Sequence, residues 1–191
     1  TNEINRLVTI GMLIKKGMKG ELDLMQKAEE VANELTEIPS FDVPDFEDLF
    51  DEEKYVLNNL KKVFLMLSGA GLKKYGMDLE NHQEVLLSIS DILIEIYMSE
   101  SAILRTEKNC KRFGNDNYHA QVAISKLYLF EACEMIISKS RELIFSLSEG
   151  SEQKFLLMGL KRFTKYYNYP KPIELKRTIA KIVSEENRYN L

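Results

Sequence analysis

The chain has 191 residues, 45% of them apolar, and a formal charge of −4 from 26 basic and 30 acidic side chains. That length allows one domain with a sizeable core plus an appended element, and the near-balanced charge names no nucleic-acid or lipid partner. Two cysteines, Cys110 and Cys133, exclude a disulfide framework and lack metal-site spacing, which points to a reducing compartment.

Only 9 Gly and 4 Pro punctuate the chain, and the common residues tolerate helices. The opening carries neither an initiator Met nor a basic start running into an unbroken apolar stretch, so no secretory leader is expected in it. The first helix is predicted from Asn2 to about Met18, with Ile4, Val8, Gly11, Ile14 and Met18 as its inward stripe. A second runs from Glu21 to Glu37 on Leu24, Ala28, Val31 and Leu35, and Pro39 ends it. The stretch SFDVPDFEDLF, Ser40 to Phe50, has no clear period and reads as a mobile, easily nicked loop that Phe41, Phe46 or Leu49 could pin to a surface.

Asp51 to Tyr75 is the next helix, with Asp51 as expected N-cap and Gly76 as its stop. Val56, Leu60, Val63, Leu67 and Ala70 make its stripe. The SGAG stretch near its end lacks the preceding strand and the Gly-Lys-Ser/Thr spacing of a phosphate loop, so it reads as small residues that let helices approach. The longest helix is expected from about Asp78 to Arg112. Its Val85, Ile89, Ile92, Ile96, Ser99 and Ile103 alternate steps of four and three, the pattern of a bundle seam. Gly114 to Asn117 should turn the chain into a helix from about Tyr118 to Leu147. That helix repeats the seam on Val122, Leu129, Ile136 and Leu143, with Cys133, Ser140 and Leu147 at the alternate positions. A shorter helix from Glu152 to about Tyr166 presents Phe155, Leu156, Gly159, Leu160 and Phe163. YYNYPKP, ending at Pro172, breaks the chain before a last helix from Ile173 to about Arg188 carrying Ile179, Ile182 and Val183. No segment alternates with period two. The fold class is all-α: an antiparallel helical bundle with helical extensions at both ends.

Charge is unevenly placed. Glu21 to Glu53 holds thirteen acids and one base, a local −12, and Ser151 to Leu191 holds nine bases and four acids, a local +5. Solvated faces are the ordinary reading; the sharper one is a basic end that meets an acidic partner, the acidic segment itself included. A di-metal bundle site needs Glu-x-x-His on two helices, but Leu79 stands three residues before His82, and Asp116 before His119 lies at a turn, so no metal is expected. His82 reads as exposed near a helix start. Cys110 and Cys133 have no activating base beside them and read as buried or idle. There is no Gly-x-Ser-x-Gly elbow and no dinucleotide fingerprint. LKRFTKYYNYPKPIELKR, Leu160 to Arg177, mixes bases with aromatics as a nucleic-acid platform does, yet a basic helix and a tyrosine-rich loop packed on the bundle is the favoured reading. On physics alone the chain is a helical bundle with no visible active site.

One stretch resembles a known family. TNEINRLVTIGMLIKKGMKG is similar to the end of the catalytic core of acyl-CoA dehydrogenases, where Glu-Gly-Thr-Asn/Ser-x-Ile-x-Arg leads into the last core helix; Thr1, Asn2, Ile4 and Arg6 match its second half. Leu72 to Asn109 and Phe155 to Pro172 resemble the extra C-terminal helical domain of the very-long-chain branch and its bacterial relatives. The resemblance implies residues 1–20 as the last core helix, 21–53 as an acidic helix and linker, and 54–191 as the C-terminal bundle. It implies a non-catalytic fragment of an FAD-dependent enzyme that dehydrogenates acyl-CoA thioesters in fatty acid β-oxidation, bracing the core or the subunit interface. The usual base of the family, the Glu of that phrase, would lie upstream of Thr1, although some branches place it elsewhere. No catalytic residue is expected in this chain, which alone should be inactive. Thr1, Asn2 and Glu3 match positions that contact FAD in the intact enzyme; in the isolated chain they read as a frayed terminus. The implied partners are the chain's own catalytic core, a second copy in a homodimer, and, for the parent, electron-transfer flavoprotein, with no nucleic acid. A cytoplasmic setting is implied by the bacterial relatives. In the mitochondrial relative the segment between core and bundle is tied to membrane attachment. The acidity of Glu21 to Glu53 argues against that here, since anionic lipid repels it. The alternative is a free-standing helical interaction module.

Overall fold

The computed structural model describes residues 1–37, 44–114 and 118–186, and among them there is no strand. Seven α-helices follow one another: α1 (Asn2–Met18), α2 (Leu24–Thr36), α3 (Asp51–Tyr75), α4 (Gln83–Phe113), α5 (His119–Leu147), α6 (Gly150–Phe163) and α7 (Pro172–Glu186), with a 3-10 segment, Gly76–Asn81, between α3 and α4. The all-α reading holds, and most boundaries fall within a few residues of the periodicity.

The bundle is built on α3, α4 and α5. Cross-links between neighbours run in opposite numerical order, as antiparallel packing demands. Lys54 meets Glu107 and Lys61 meets Glu100 between α3 and α4, each at 2.6 Å. Lys139 meets Asp91 at 2.8 Å, and the Thr106 and Ser125 hydroxyls share a 2.9 Å hydrogen bond, between α4 and α5. The expected seams are the core: Val85, Ile89, Ile92, Ile96 and Ile103 of α4 and Leu129, Ile136 and Leu143 of α5 are buried, with Val56, Leu60, Val63 and Leu67 of α3 between them. Each such side chain contributes about 1.5–3 kcal/mol relative to exposure. The bridging lysines keep their ammonium groups near water, so their pairs orient helices more than they stabilise them.

α2 and α6 cover α3 and converge at one point. A Cβ on Gly159 would stand 2.8 Å from Met66 Sδ and 2.9 Å from Leu35 Cδ1, so a larger residue here would force these side chains to shift. There Arg162 of α6 donates to the Glu34 carbonyl at 2.8 Å, closing the C-terminal end of α2 from outside. α7 lies along α5, held in part by Lys176–Glu131 at 2.7 Å, and has no fully buried residue.

Several expectations need correcting. Asp51 is the first helical residue of α3 and not its cap; Phe50 holds the cap position, and the Asp51 carboxylate accepts the Asp48 N–H at 2.8 Å. Phe50, which periodicity passed over, is an anchor: it is buried, with Lys126 Nζ 5.6 Å from its ring. The long helix does not begin at Asp78. Gly76 turns at φ 55°, ψ −128°, a region closed to residues with a Cβ, and one 3-10 segment intervenes before Gln83. α6 ends at Phe163 and not near Tyr166. Of the loop from Ser40 to Phe50, residues 40–43 lie outside the described residues, as do 115–117 of the expected turn and 187–188, the end expected for the last helix. Residues 44–47 are irregular, and Phe46 does pin them, its ring 5.9 Å from Tyr55 and 6.0 Å from Tyr167.

The largest correction concerns α1. The stripe expected to face inward is mostly exposed: Ile4 is 64%, Val8 50% and Met18 48% accessible. The face that docks on the bundle carries Leu7, Ile10, Leu13, Ile14 and Gly17, with Ile10 and Gly17 buried. α1 has apolar residues on both sides, and a single stripe could not say which side the bundle would take.

Candidate functional site

Among the described residues no group of His, Cys, Asp and Glu could hold a metal ion. His82 is half-buried and not exposed as expected. It holds the cap position before α4, stacks on Tyr75 at 3.6 Å, and lies 3.3 Å from Asp78 and 3.8 Å from Glu84. His119 opens α5. Both cysteines are buried. Desolvation raises Cys110, and pushes the Cys133 thiol up to about 12, so neither supplies thiolate near neutral pH. The small residues of SGAG serve packing: a Cβ on Gly69 would meet Ala28 of α2 at 3.8 Å.

Part of the basic and aromatic tract packs on the bundle. Phe163 and Tyr166 are buried. Tyr167 and Asn168 hand their backbone N–H groups to the Glu52 carboxylate at 2.8 and 2.7 Å, and the Asn168 side-chain amide adds a third bond at 3.0 Å. Lys165 sits 4.5 Å from the Tyr167 ring centre. Phe163 and Tyr166 thus turn inward and Tyr167 packs at the loop, while Tyr169 keeps its ring 63% exposed.

Thr1, Asn2 and Glu3 stand together at the exposed start of α1. Thr1 occupies the N-cap position without a side-chain bond into the helix, and its carbonyl accepts the first helical bond, from Asn5 N–H at 3.0 Å. A hydroxyl, an amide and the orphan N–H groups of a first turn are donors suited to a ribose or a phosphate, while the Glu3 carboxylate suits ribose hydroxyls only. These three residues fit a contact with a dinucleotide and cannot enclose one.

Exposed apolar surface is the other feature of note. Ile4, Val8 and Met12 recur every fourth residue along the outside of α1, at 64, 50 and 55% accessibility. On α4, which runs antiparallel to α1, Tyr97, Met98 and Leu104 are exposed in the same way. A separate wedge-shaped groove of about 760 Å³ opens where α2 and α6 diverge over α3, floored by Leu65, Met66, Gly69 and Ala70.

Residues 59–162 match the family described as acyl-CoA dehydrogenase, C-terminal domain. A Bacillus subtilis (strain 168) protein described as a probable acyl-CoA dehydrogenase is 33% identical over 196 residues, which cover 100% of this chain and 32% of that protein. The crystal structure of an acyl-CoA dehydrogenase complexed with FAD from Bacillus anthracis superposes with a TM-score of 0.90 at 35% identity, over 100% of this chain and 31% of that one. The chain therefore spans about a third of the length of these relatives.

Proposed function

The chain belongs to the acyl-CoA dehydrogenase C-terminal domain family, and on that premise we propose that it is the non-catalytic helical portion of an FAD-dependent acyl-CoA dehydrogenase, bracing the catalytic core. The carrying observation is the two-sided α1. Its inner face is spent on the bundle, and Ile4, Val8 and Met12 form a second apolar face with none of the described residues covering it. A helix apolar on both sides is an interior helix, sandwiched between two bodies. The bundle is one body. In this reading a catalytic core, corresponding to the two thirds of the relatives' length outside the match, is the other, and α1 is then the last helix of that core.

In this reading the division at about residues 20 and 53 separates the core's last helix, an acidic connecting element and the bundle. FAD supplies the hydride-accepting chemistry when bound by the whole enzyme. Thr1, Asn2 and Glu3 would contribute to holding it, Thr1 and Asn2 as hydrogen-bond donors and Glu3 as an acceptor for hydroxyl groups. The catalytic base is the Glu that stands two places before the Thr in the family phrase. A homodimer, electron-transfer flavoprotein as acceptor, a place in fatty acid β-oxidation and a cytoplasmic location follow from the same reading. Among the described residues no helix is long and apolar enough to cross a membrane, and the acidic Glu21–Glu53 region opposes attachment to anionic lipid.

The test compares three proteins: the longer enzyme, this chain alone, and the longer enzyme without Asp51–Leu191. Visible flavin absorbance and acyl-CoA-dependent dye reduction are measured for each. The longer enzyme should be yellow and active, this chain colourless and inert, and the truncated enzyme less stable and quicker to lose flavin. A yellow, active fragment overturns the proposal; a truncated enzyme as stable as the full one removes the bracing role.

A further inference from the structure

We propose that Asp91 is a positioning residue that fixes the first turn of α1 on the bundle, through Arg6. This rests on the reading above for its consequence at the flavin, but its geometry is independent of it. Residues 1–5 of α1 are all exposed, and the apolar contacts of the helix begin only at Leu7. Arg6 is therefore the first group of α1 to meet the bundle, one turn beyond Thr1, Asn2 and Glu3. Its guanidinium pairs with Asp91 of α4, and the same carboxylate receives Lys139 of α5 at 2.8 Å. One anion thus ties three helices. Arg6 Nε is buried with no acceptor among the described residues, so the guanidinium depends on Asp91 for its compensation. Towards the far end of the helix, Lys15 reaches Glu80 at 3.4 Å with both side chains mostly in water, a pair too exposed to hold it. Without Asp91, Arg6 and Lys139 would face each other as uncompensated cations, pushing the start of α1 off the bundle while Ile10 and Gly17 still hold its later turns.

The same helix supplies a matched control. Glu107 of α4 also receives two lysines, Lys54 at 2.6 Å and Lys111 at 2.8 Å, and its side chain is 15% accessible against 21% for Asp91. It links α4 to α3 and has no bond to α1.

The experiment uses the longer, flavin-loaded enzyme with Asp91→Asn, Glu107→Gln and the charge-swapped pair Arg6→Asp/Asp91→Arg. Hydrogen exchange is followed at the amides of residues 5–9, and flavin release by the return of flavin fluorescence. Asp91→Asn should speed exchange at these amides by about tenfold or more, as loss of a charge-assisted bond does, and should speed flavin release. Glu107→Gln should lower bundle stability comparably and leave both readouts unchanged, and the swapped pair should recover most of what Asp91→Asn loses. Equal effects from Asp91→Asn and Glu107→Gln, or none from Asp91→Asn, overturn the positioning role. An enzyme that holds no flavin yet loosens residues 5–9 on Asp91→Asn overturns the enzymatic reading and leaves the clamp standing.

Discussion

Leu129→Ala tests whether the α4–α5 seam carries the fold. Leu129 is fully buried in the middle of α5, a helix in contact with α3, α4, α6 and α7. The substitution removes three carbons, worth about 2.4 kcal/mol at roughly 0.8 kcal/mol per buried methylene. None of the described grooves reaches Leu129, so its neighbours have no adjacent void into which to relax and a cavity should persist. That places the loss at about 3–4 kcal/mol, inside the range for buried leucines. The helix propensity of alanine returns only about 0.2 kcal/mol. Val122 offers an internal comparison, since it lies on the same heptad row but is only half-buried; Val122→Ala should cost about 1 kcal/mol or less. Urea titration followed by far-UV circular dichroism reads both, with an unchanged m-value required for the comparison. A loss below about 1 kcal/mol for Leu129→Ala would refute the packing argument.

Three further outcomes are expected. Glu52→Gln leaves one acceptor oxygen for the three donors of Tyr167 and Asn168 and should cost about 1–3 kcal/mol, read by urea titration, with the tyrosine fluorescence of the Phe46–Tyr55–Tyr167 cluster changing before the helical signal. Burial raises Cys133 and Tyr128 to about 12 from ordinary values of 9.0 and 10.0, and raises Tyr166 further, so all three hold their protons longer folded than unfolded. Their stabilising contribution is complete below pH 9 and is lost as pH climbs through the folded values, so urea midpoints should fall between about pH 9 and 12, and Cys133→Ala should flatten part of that slope. Val8→Asp should leave the stability of this chain within about 0.5 kcal/mol, because the site is half exposed, yet should impair assembly of the longer enzyme, read by size-exclusion chromatography.

The parts of the fold legible in the sequence are those where one apolar period faces one partner. The α4 row of Val85 to Ile103 and the α5 row of Leu129 to Leu143 keep one apolar period over several turns, while the exposed Tyr97, Met98 and Leu104 of α4 and Phe145 of α5 make no row of that length, so periodicity names the buried face. Other positions depend on distant chain. Phe50 is buried by a lysine 76 residues later in sequence, and Glu52 finds its donors more than a hundred residues away. Gly159 reads as one more small residue until Leu35 and Met66 are brought against it. His82 looked like an exposed polar residue because nothing local predicts that Gly76 reverses the chain and stacks the imidazole on Tyr75.

α1 shows the same limit from the other side. Two stripes interleave on it, Ile4–Val8–Met12 and Leu7–Ile10–Ile14–Gly17, and hydrophobicity alone ranks neither first. The bundle takes the second, the face that includes Gly17, where a Cβ would stand 3.2 Å from Leu24 of α2. The first stripe is then left over by geometry and not by composition. In a self-sufficient domain such a remainder would be replaced by polar residues, since exposing it gains nothing and invites association. Its persistence along three successive turns, beside a phrase resembling the end of a catalytic core, is what supports the proposal that α1 joins two bodies, and it is why this exposed stripe reads as core from sequence alone.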